Sequence, residues 1–242
     1  MLQLLRWCRR TVRRSYRDFR GRRIAARRKP QQDVLVAAIR DRVDQNAWYR
    51  LRDEWAARET REFNQFYIKY FDLDRWLPGA IVVARNAGLI GSRPRRMLDL
   101  GCGGGLLGRV AMHFGHDYVG TDVGNPMFMA MCEALGVRAL ASPVRRREPL
   151  PAELQGFDLV TSINPMFYRR ELIEGRSEQF WWDDADWEFF LRDLRSRLKP
   201  GGFYYSKFNE EERLPPGLWK LLDQCRRFDQ KSFLIRYDQL PK

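Results

Sequence analysis

Between Arg95 and Phe208 the chain switches repeatedly between two hydrophobic rhythms. Short apolar runs alternate with longer stretches in which apolar residues recur every three or four positions. These are the periods of buried strands and of amphipathic helices. RRMLDL (95–100) predicts a strand and LLGRVAMHF (106–114) a helix stopped by Gly115. DYVGTD (117–122), PMFMAMCEALG (126–136) and VRALASPV (137–144) continue as strand, helix and strand. FDLVTSINPMFY (157–168) begins as a fourth strand. DADWEFFLRDLRSRLKPGG (184–202) is a long amphipathic helix with a Pro-Gly-Gly stop, and FYYSKF (203–208) a fifth strand. Strands separated by helices imply a Rossmann-like α/β domain, a mostly parallel sheet covered on both faces. Such sheets bind ligands at the carboxyl ends of their strands.

Upstream the pattern is helical. VLVAAIRDRV (34–43) has an apolar face, and residues 46–73 carry many aromatics on a charged background. Residues 33–92 therefore read as a helical cap laid over one end of the domain at 93–242. Residues 1–32 form a third part. Leu5, Cys8, Val12, Tyr16 and Phe19 recur at helical steps among arginines, which describes a basic amphipathic arm broken near Gly21 and ended by Pro30.

Charge sharpens this division. The 242 residues carry a net +13. Residues 1–30 hold eleven Arg and one Lys against Asp18, a net +11, so the rest of the chain is close to neutral. A basic arm with an apolar stripe suits an anionic membrane surface. Nucleic acid is a weaker reading, because RNA does not need Leu5, Val12, Tyr16 and Phe19. A solvated tail or an Arg-rich presequence would also carry this charge. No apolar stretch of about 18 residues exists to span a membrane. The four cysteines are scattered without a CxxC pair, which argues against a zinc site or a disulfide scaffold and suits a reducing, cytoplasmic setting with peripheral attachment to the inner membrane face. No metal is expected.

The densest glycine cluster, LDLGCGGG (98–105), sits where the first strand hands over to the first helix. Glycine there permits a tight turn, close backbone approach to a ligand and helix–strand packing. Asp99 precedes Gly101, Gly103 and Gly105, and Asp122 ends the second strand, placed to accept hydrogen bonds from both hydroxyls of a ribose. Together with VGTD, FDLVTSIN and LKPGGFYYSKFN, this stretch resembles the class I S-adenosylmethionine-dependent methyltransferases over roughly residues 70–225. The resemblance implies a seven-stranded, mostly parallel sheet, S-adenosyl-L-methionine as cofactor and transfer of its methyl group. It assigns cofactor contacts to Asp99, Gly101, Cys102, Gly103, Gly105, Asp122 and Asn164. Asp99 positions the amino-acid end, and the backbone at Gly101 and Gly103 lies against the cofactor. Two departures stand out. The third strand leads into ASPVRRREPLP (141–151), where Ser142 is a weak adenine contact. After PGLWKLLDQCRRF (216–228) only KSFLIRY (231–237) reads as a strand, so the terminal antiparallel hairpin is reduced.

The acceptor belongs beside the fourth strand. Asn164-Pro165 resembles the start of the N-P-P-Y motif of amino-group methyltransferases, but Met166 and Phe167 replace its second proline and its aromatic. Asn164 and Tyr168 are the catalytic candidates, Tyr168 as proton acceptor or orienting hydroxyl, with a pocket wall as its plain alternative. The segment 169–187 is read as an acceptor-site lid, with Asp183 and Asp184 capping the helix behind it. Lys207 and Asn209 end the fifth strand at the same edge. His113 and His116 fall at the opposite edge and are read as structural. The chain therefore reads as a methyltransferase acting on a small-molecule or glycan-like acceptor, at oxygen rather than nitrogen. YFDLDRWL (70–77) and WEFFLRDLRSRLKPGG (187–202) resemble envelope and polysaccharide biosynthesis families. Two rival readings are an RNA or protein methyltransferase that uses the arm, and a cofactor-binding protein without catalysis.

Overall fold

The computed structural model describes residues 30–58, 68–173, 176–209 and 213–242. Residues 1–29 of the basic arm read at 1–32, with the membrane and nucleic-acid readings attached to it, lie outside the described residues. The chain forms two compact units, Met1–Arg42 and Val43–Lys242. In the first, helix α1 runs over 30–40 and buries Val36 and Ile39, one helical step apart.

The second unit is built on a seven-stranded sheet. Its strands are β1 (Arg96–Leu100), β2 (Asp117–Asp122), β3 (Ala139–Ala141), β4 (Phe157–Ile163), β7 (Leu198–Lys207), β8 (Arg226–Arg227) and β9 (Ser232–Arg236). They lie in the order β3-β2-β1-β4-β7-β9-β8. Neighbours from β3 to β7 are parallel, and β9 is antiparallel to both β7 and β8. At two residues, β8 makes the terminal hairpin as short as the sequence implied.

Helices α4 (Leu106–His113), α5 (Pro126–Ala134), α6 (Asp184–Arg197) and α7 (Pro216–Leu222) connect or cover the strands. One face of the sheet is apolar. Leu98, Leu100, Val119, Val160 and Tyr204 share a buried cluster with Trp187, Phe190, Leu191 and Leu194 of α6. Each of the large side chains contributes about 1.5–3 kcal/mol by leaving water.

The helical region before the sheet comprises α2 (Gln45–Ala57), a 3-10 turn (Ile68–Phe71) and α3 (Leu73–Asn86). Asp44 and Asp72 cap the two helices, accepting from Ala47 N and Arg75 N at 3.0 Å. Two indoles fasten the turn: Trp48 Nε1 donates to Phe71 O and Trp76 Nε1 to Lys69 O, both at 2.8 Å. Tyr70 then meets Phe128 of α5 edge-on at 5.7 Å. The helical region is thereby joined to the element that follows β2.

The insertion after β4, read as an acceptor-site lid, has regular structure of its own. It folds as a separate antiparallel hairpin, β5 (Tyr168–Ile173) with β6 (Arg176–Trp181), in which Tyr168 pairs with Trp181. The physical cause lies in the sequence: two six-residue runs containing strand formers are separated by two positions, one of them Gly175.

Candidate cofactor and acceptor site

The glycine turn has two sides with different duties. Gly101, Gly103 and Gly105 all adopt left-handed backbone, with φ of 73°, 52° and 78°. A Cβ built at Gly101 or Gly103 meets nothing within 4 Å. These two positions open onto free space, as a ligand that lies against the backbone requires. Inward, space is already used. A Cβ at Gly104 would lie 2.5 Å from Met131 Cε, and one at Gly105 would lie 2.9 Å from Cys132 Sγ.

Hydrogen bonds fix the turn to the end of β2. Gly101 N and Cys102 N both donate to Thr121 O, at 2.8 and 2.9 Å. Gly103 N donates to Asp122 Oδ2 at 2.9 Å, and Val123 N donates to Asp122 Oδ1 at 2.8 Å. Each Asp122 oxygen accepts one backbone N–H and keeps capacity for a second donor. Burial pushes the Asp122 carboxyl above its ordinary value, against the lowering effect of those two bonds.

Asp99 is only 2% exposed. Its Oδ1 accepts from Thr161 Oγ1 at 2.6 Å and its Oδ2 from Tyr118 OH at 2.9 Å. Burial raises its pKa from 3.8 to about 6; the two hydroxyls pull it down and Asp122 pushes it up. A carboxylate held in so dry a place stabilises a nearby cation far more than an exposed one can. Sequence reasoning missed both hydroxyl partners. The signal was register: Thr161 lies directly beside Asp99 across the β1–β4 pair.

Cys102 turns its thiol away from the open side. A Cβ at Gly120 would lie 2.7 Å from the Cys102 sulfur, so the side chain packs between the turn and β2. At that position only the backbone can face a cofactor.

On the acceptor side, Asn164 is exposed, adopts φ 50°, and donates its backbone N–H to Lys207 O at 2.7 Å. Tyr168 is half-buried; its hydroxyl donates to Met166 Sδ at 3.1 Å and its ring lies 4.6 Å from Trp181. Phe167 points the other way. It is 2% exposed and packs on Trp182 and Trp187 at 4.8 and 4.5 Å, so it cannot present a ring to an amine. Lys207 and Asn209 lie at the end of β7, where Asn209 O accepts from Lys231 Nζ at 3.2 Å.

Asp183 caps α6 in a reciprocal box with Asp186. Asp184 instead caps α7, accepting from Gly217 N and Leu218 N. The triple arginine of the 141–151 segment has a purpose the sequence hid: Arg146 Nε and Arg147 Nε each donate to the fully buried Asp186 at 2.6 Å. His116 bridges segments at the far edge, accepting from Arg95 N at 3.1 Å through Nδ1 and donating from Nε2 to Leu89 O at 2.8 Å. His113 packs on Phe114. Among the described residues no group of three or more His, Cys, Asp or Glu could hold a metal ion, and no helix is long and apolar enough to cross a membrane.

No protein-family model matches the chain. A tRNA U34 carboxymethyltransferase from Pseudomonas fluorescens is 36% identical over 87 residues, which are 33% of this chain and 26% of that protein. The chain thus spans about a quarter of the curated relative it matches. Among solved structures, a 16S rRNA N2 G1207 methyltransferase from T. thermophilus, in complex with AdoMet and guanosine, is 20% identical with TM-score 0.43, covering 65% of this chain and 41% of that one. A TehB-like SAM-dependent methyltransferase from Corynebacterium glutamicum is 18% identical with TM-score 0.45, covering 67% and 92%. The sheet is mostly parallel and seven-stranded with an antiparallel β9, the arrangement that the resemblance to class I methyltransferases implied.

Proposed function

We propose that this protein is an S-adenosylmethionine-dependent methyltransferase acting on a small-molecule or glycan-like hydroxyl. The observation that carries the reading is the pair of buried carboxylates, Asp99 and Asp122, beside a left-handed turn whose Gly101 and Gly103 open onto free space. The residues fit the group. Asp122 has one acceptor place left on each oxygen for a ribose hydroxyl. Asp99 supplies negative charge for the ammonium at the amino-acid end. The bound cofactor contributes a methyl group on a sulfonium, with a neutral thioether as leaving group.

What remains for the chain is orientation, which can supply several kcal/mol of the barrier (up to about 7–11 in the best cases). Asn164, Tyr168 and Lys207 stand at the carboxyl edge of β4 and β7 to hold the acceptor. Oxygen is favoured over nitrogen because the Phe167 ring is committed to the core. Without that ring an amine site of the N-P-P-Y kind lacks its aromatic wall. Residues 1–30, at +11, would hold the enzyme on an anionic membrane.

A second reading is an RNA acceptor. It is supported by the curated relative, whose name gives tRNA as its substrate, and by the same basic arm. One experiment separates them: turnover of methyl-labelled cofactor against cell extracts with and without nuclease. Labelled material that survives nuclease and partitions with small molecules or glycans supports the first reading. Nuclease-sensitive label replaces it with the second, and no label with any fraction refutes catalysis.

A further inference from the structure

Two free thiols meet beneath the cofactor turn. Cys102 Sγ and Cys132 Sγ both donate to one acceptor, the carbonyl oxygen of Gly103, at 3.7 and 3.3 Å, which sets the two thiols side by side. Cys102 comes from the turn and is half-buried; Cys132 comes from α5 and is buried. Backbone walls them from behind. A Cβ at Gly120 would lie 2.7 Å from the first sulfur and one at Gly105 2.9 Å from the second.

We propose that Cys102 and Cys132 form an oxidative modification site, joined by low-molecular-weight disulfides into a protein disulfide that disables the cofactor turn. The thiolate of the more accessible Cys102 attacks one sulfur of R–S–S–R and expels R–S⁻. The Cys132 thiolate then attacks the Cys102 sulfur of the mixed disulfide and expels the second R–S⁻. Two protein thiols lose two electrons and two protons, and the oxidant leaves as two thiols. A disulfide sulfur has no hydrogen, so Gly103 O loses both of its thiol donors at once. A bond of about 2.05 Å replaces a thiol–thiol contact and draws Cys102 toward α5. Gly103 is also the residue whose N–H is tied to Asp122, so the strain reaches the carboxylate assigned to the ribose. This effect on affinity rests on the function proposed above; the disulfide itself does not.

The thiol of Cys132, then burial, pushes the Cys102 pKa upward. The exchange is therefore slow near neutrality and accelerates in alkali, because the thiolate is the nucleophile.

The test uses the full chain with Cys8 and Cys225 replaced by serine, treated with glutathione disulfide at about pH 7 and about pH 9 and read by peptide mass spectrometry. A linked Cys102–Cys132 peptide is expected, formed faster at the higher pH and slowed by bound S-adenosylmethionine. Cys132→Ala should stop at glutathione on Cys102. Calorimetry on the oxidised protein should show cofactor affinity at least tenfold weaker, restored by dithiothreitol. Absence of the linked peptide at both pH values overturns the site, and a linked protein with unchanged affinity overturns the gating. If the fully reduced protein binds no cofactor, the proposed function has failed, and the linked peptide alone then decides the modification site.

Discussion

Replacing Asp99 by asparagine removes a buried charge while keeping its shape. In the wild type, burial raises this carboxyl from 3.8 to about 6 despite hydrogen bonds from Thr161 and Tyr118. The unfolded chain releases the proton near the lower value and the folded chain near the higher. Between the two, the folded state holds the extra proton, so this group's contribution to stability falls as pH rises through that window and stays low above it. A shift of about two units corresponds to about 3 kcal/mol at most. Asparagine can still accept from Thr161 through its carbonyl and donate to the Tyr118 oxygen through its amide. Asp99→Asn should therefore be more stable than the wild type by about 1–3 kcal/mol at pH 7, with the advantage gone near pH 4. Urea unfolding followed by tryptophan fluorescence at both pH values measures this. The lowered Asp158 and Asp183 titrate alike in both proteins and largely cancel in the difference, while Asp122, relieved of the Asp99 charge, adds to the advantage of the variant. A variant equally destabilised at both pH values would refute the account of a strained buried charge. The same substitution should weaken S-adenosylmethionine binding at least tenfold.

Asp122→Ala should cost about 1.5–3 kcal/mol of cofactor affinity by calorimetry, through lost charge-assisted hydrogen bonds. Gly101→Ala should reduce cofactor affinity, because its side chain enters the open space, and also lower stability by about 1–2 kcal/mol through its left-handed φ of 73°, whereas Gly104→Ala should lower folding stability by about 1–3 kcal/mol through its clash with Met131. Asp186→Ala, which removes a buried carboxylate that holds Arg146 and completes the α6 cap, should lower stability by about 2–3 kcal/mol in denaturant titrations without changing cofactor affinity.

Strand and helix positions in the sheet domain were legible because their apolar periods are short and local. The Gly-rich turn was legible because left-handed backbone at Gly101 and Gly103 leaves little choice of residue. What could not be read were relations between distant segments. Phe167 follows Asn164-Pro165-Met166 and looks like part of an acceptor motif. Its ring is instead claimed by Trp182 and Trp187, which lie beyond the inserted hairpin. Asp184 lies at the start of one helix yet caps another, because α7 returns to α6. Nothing in the sequence pairs Arg146 and Arg147 with Asp186, about forty positions away, until the fold brings them together. The hairpin was readable in its turn spacing, yet the length and the aromatic and charged content of 169–187 led to a lid without regular structure being assigned to it.

The two faces of the sheet show why the buried charge is retained. One face is filled by Leu98, Val160, Tyr204 and the α6 aromatics, and needs no ligand to be satisfied. The other holds Asp99 between two hydroxyls, with Asp122 and the Cys102 thiol nearby. Tyr118 is pushed well above its ordinary value, chiefly by burial, so it stays neutral and cannot offset the charge. A cation bound at the open turn supplies what the fold lacks. It should draw the Asp99 pKa below about 6 and so release a proton on binding near that pH. By linkage, cofactor affinity should rise as pH increases from about 5 to about 7 and then level off, because above the shifted range Asp99 is ionised in both states. Calorimetry in two buffers of different ionisation enthalpy reads the released proton directly, and Asp99→Asn should abolish the Asp99 share of it. Affinity that is flat across that range, with no buffer dependence, would remove Asp99 from the cofactor's electrostatics and leave its burial unexplained.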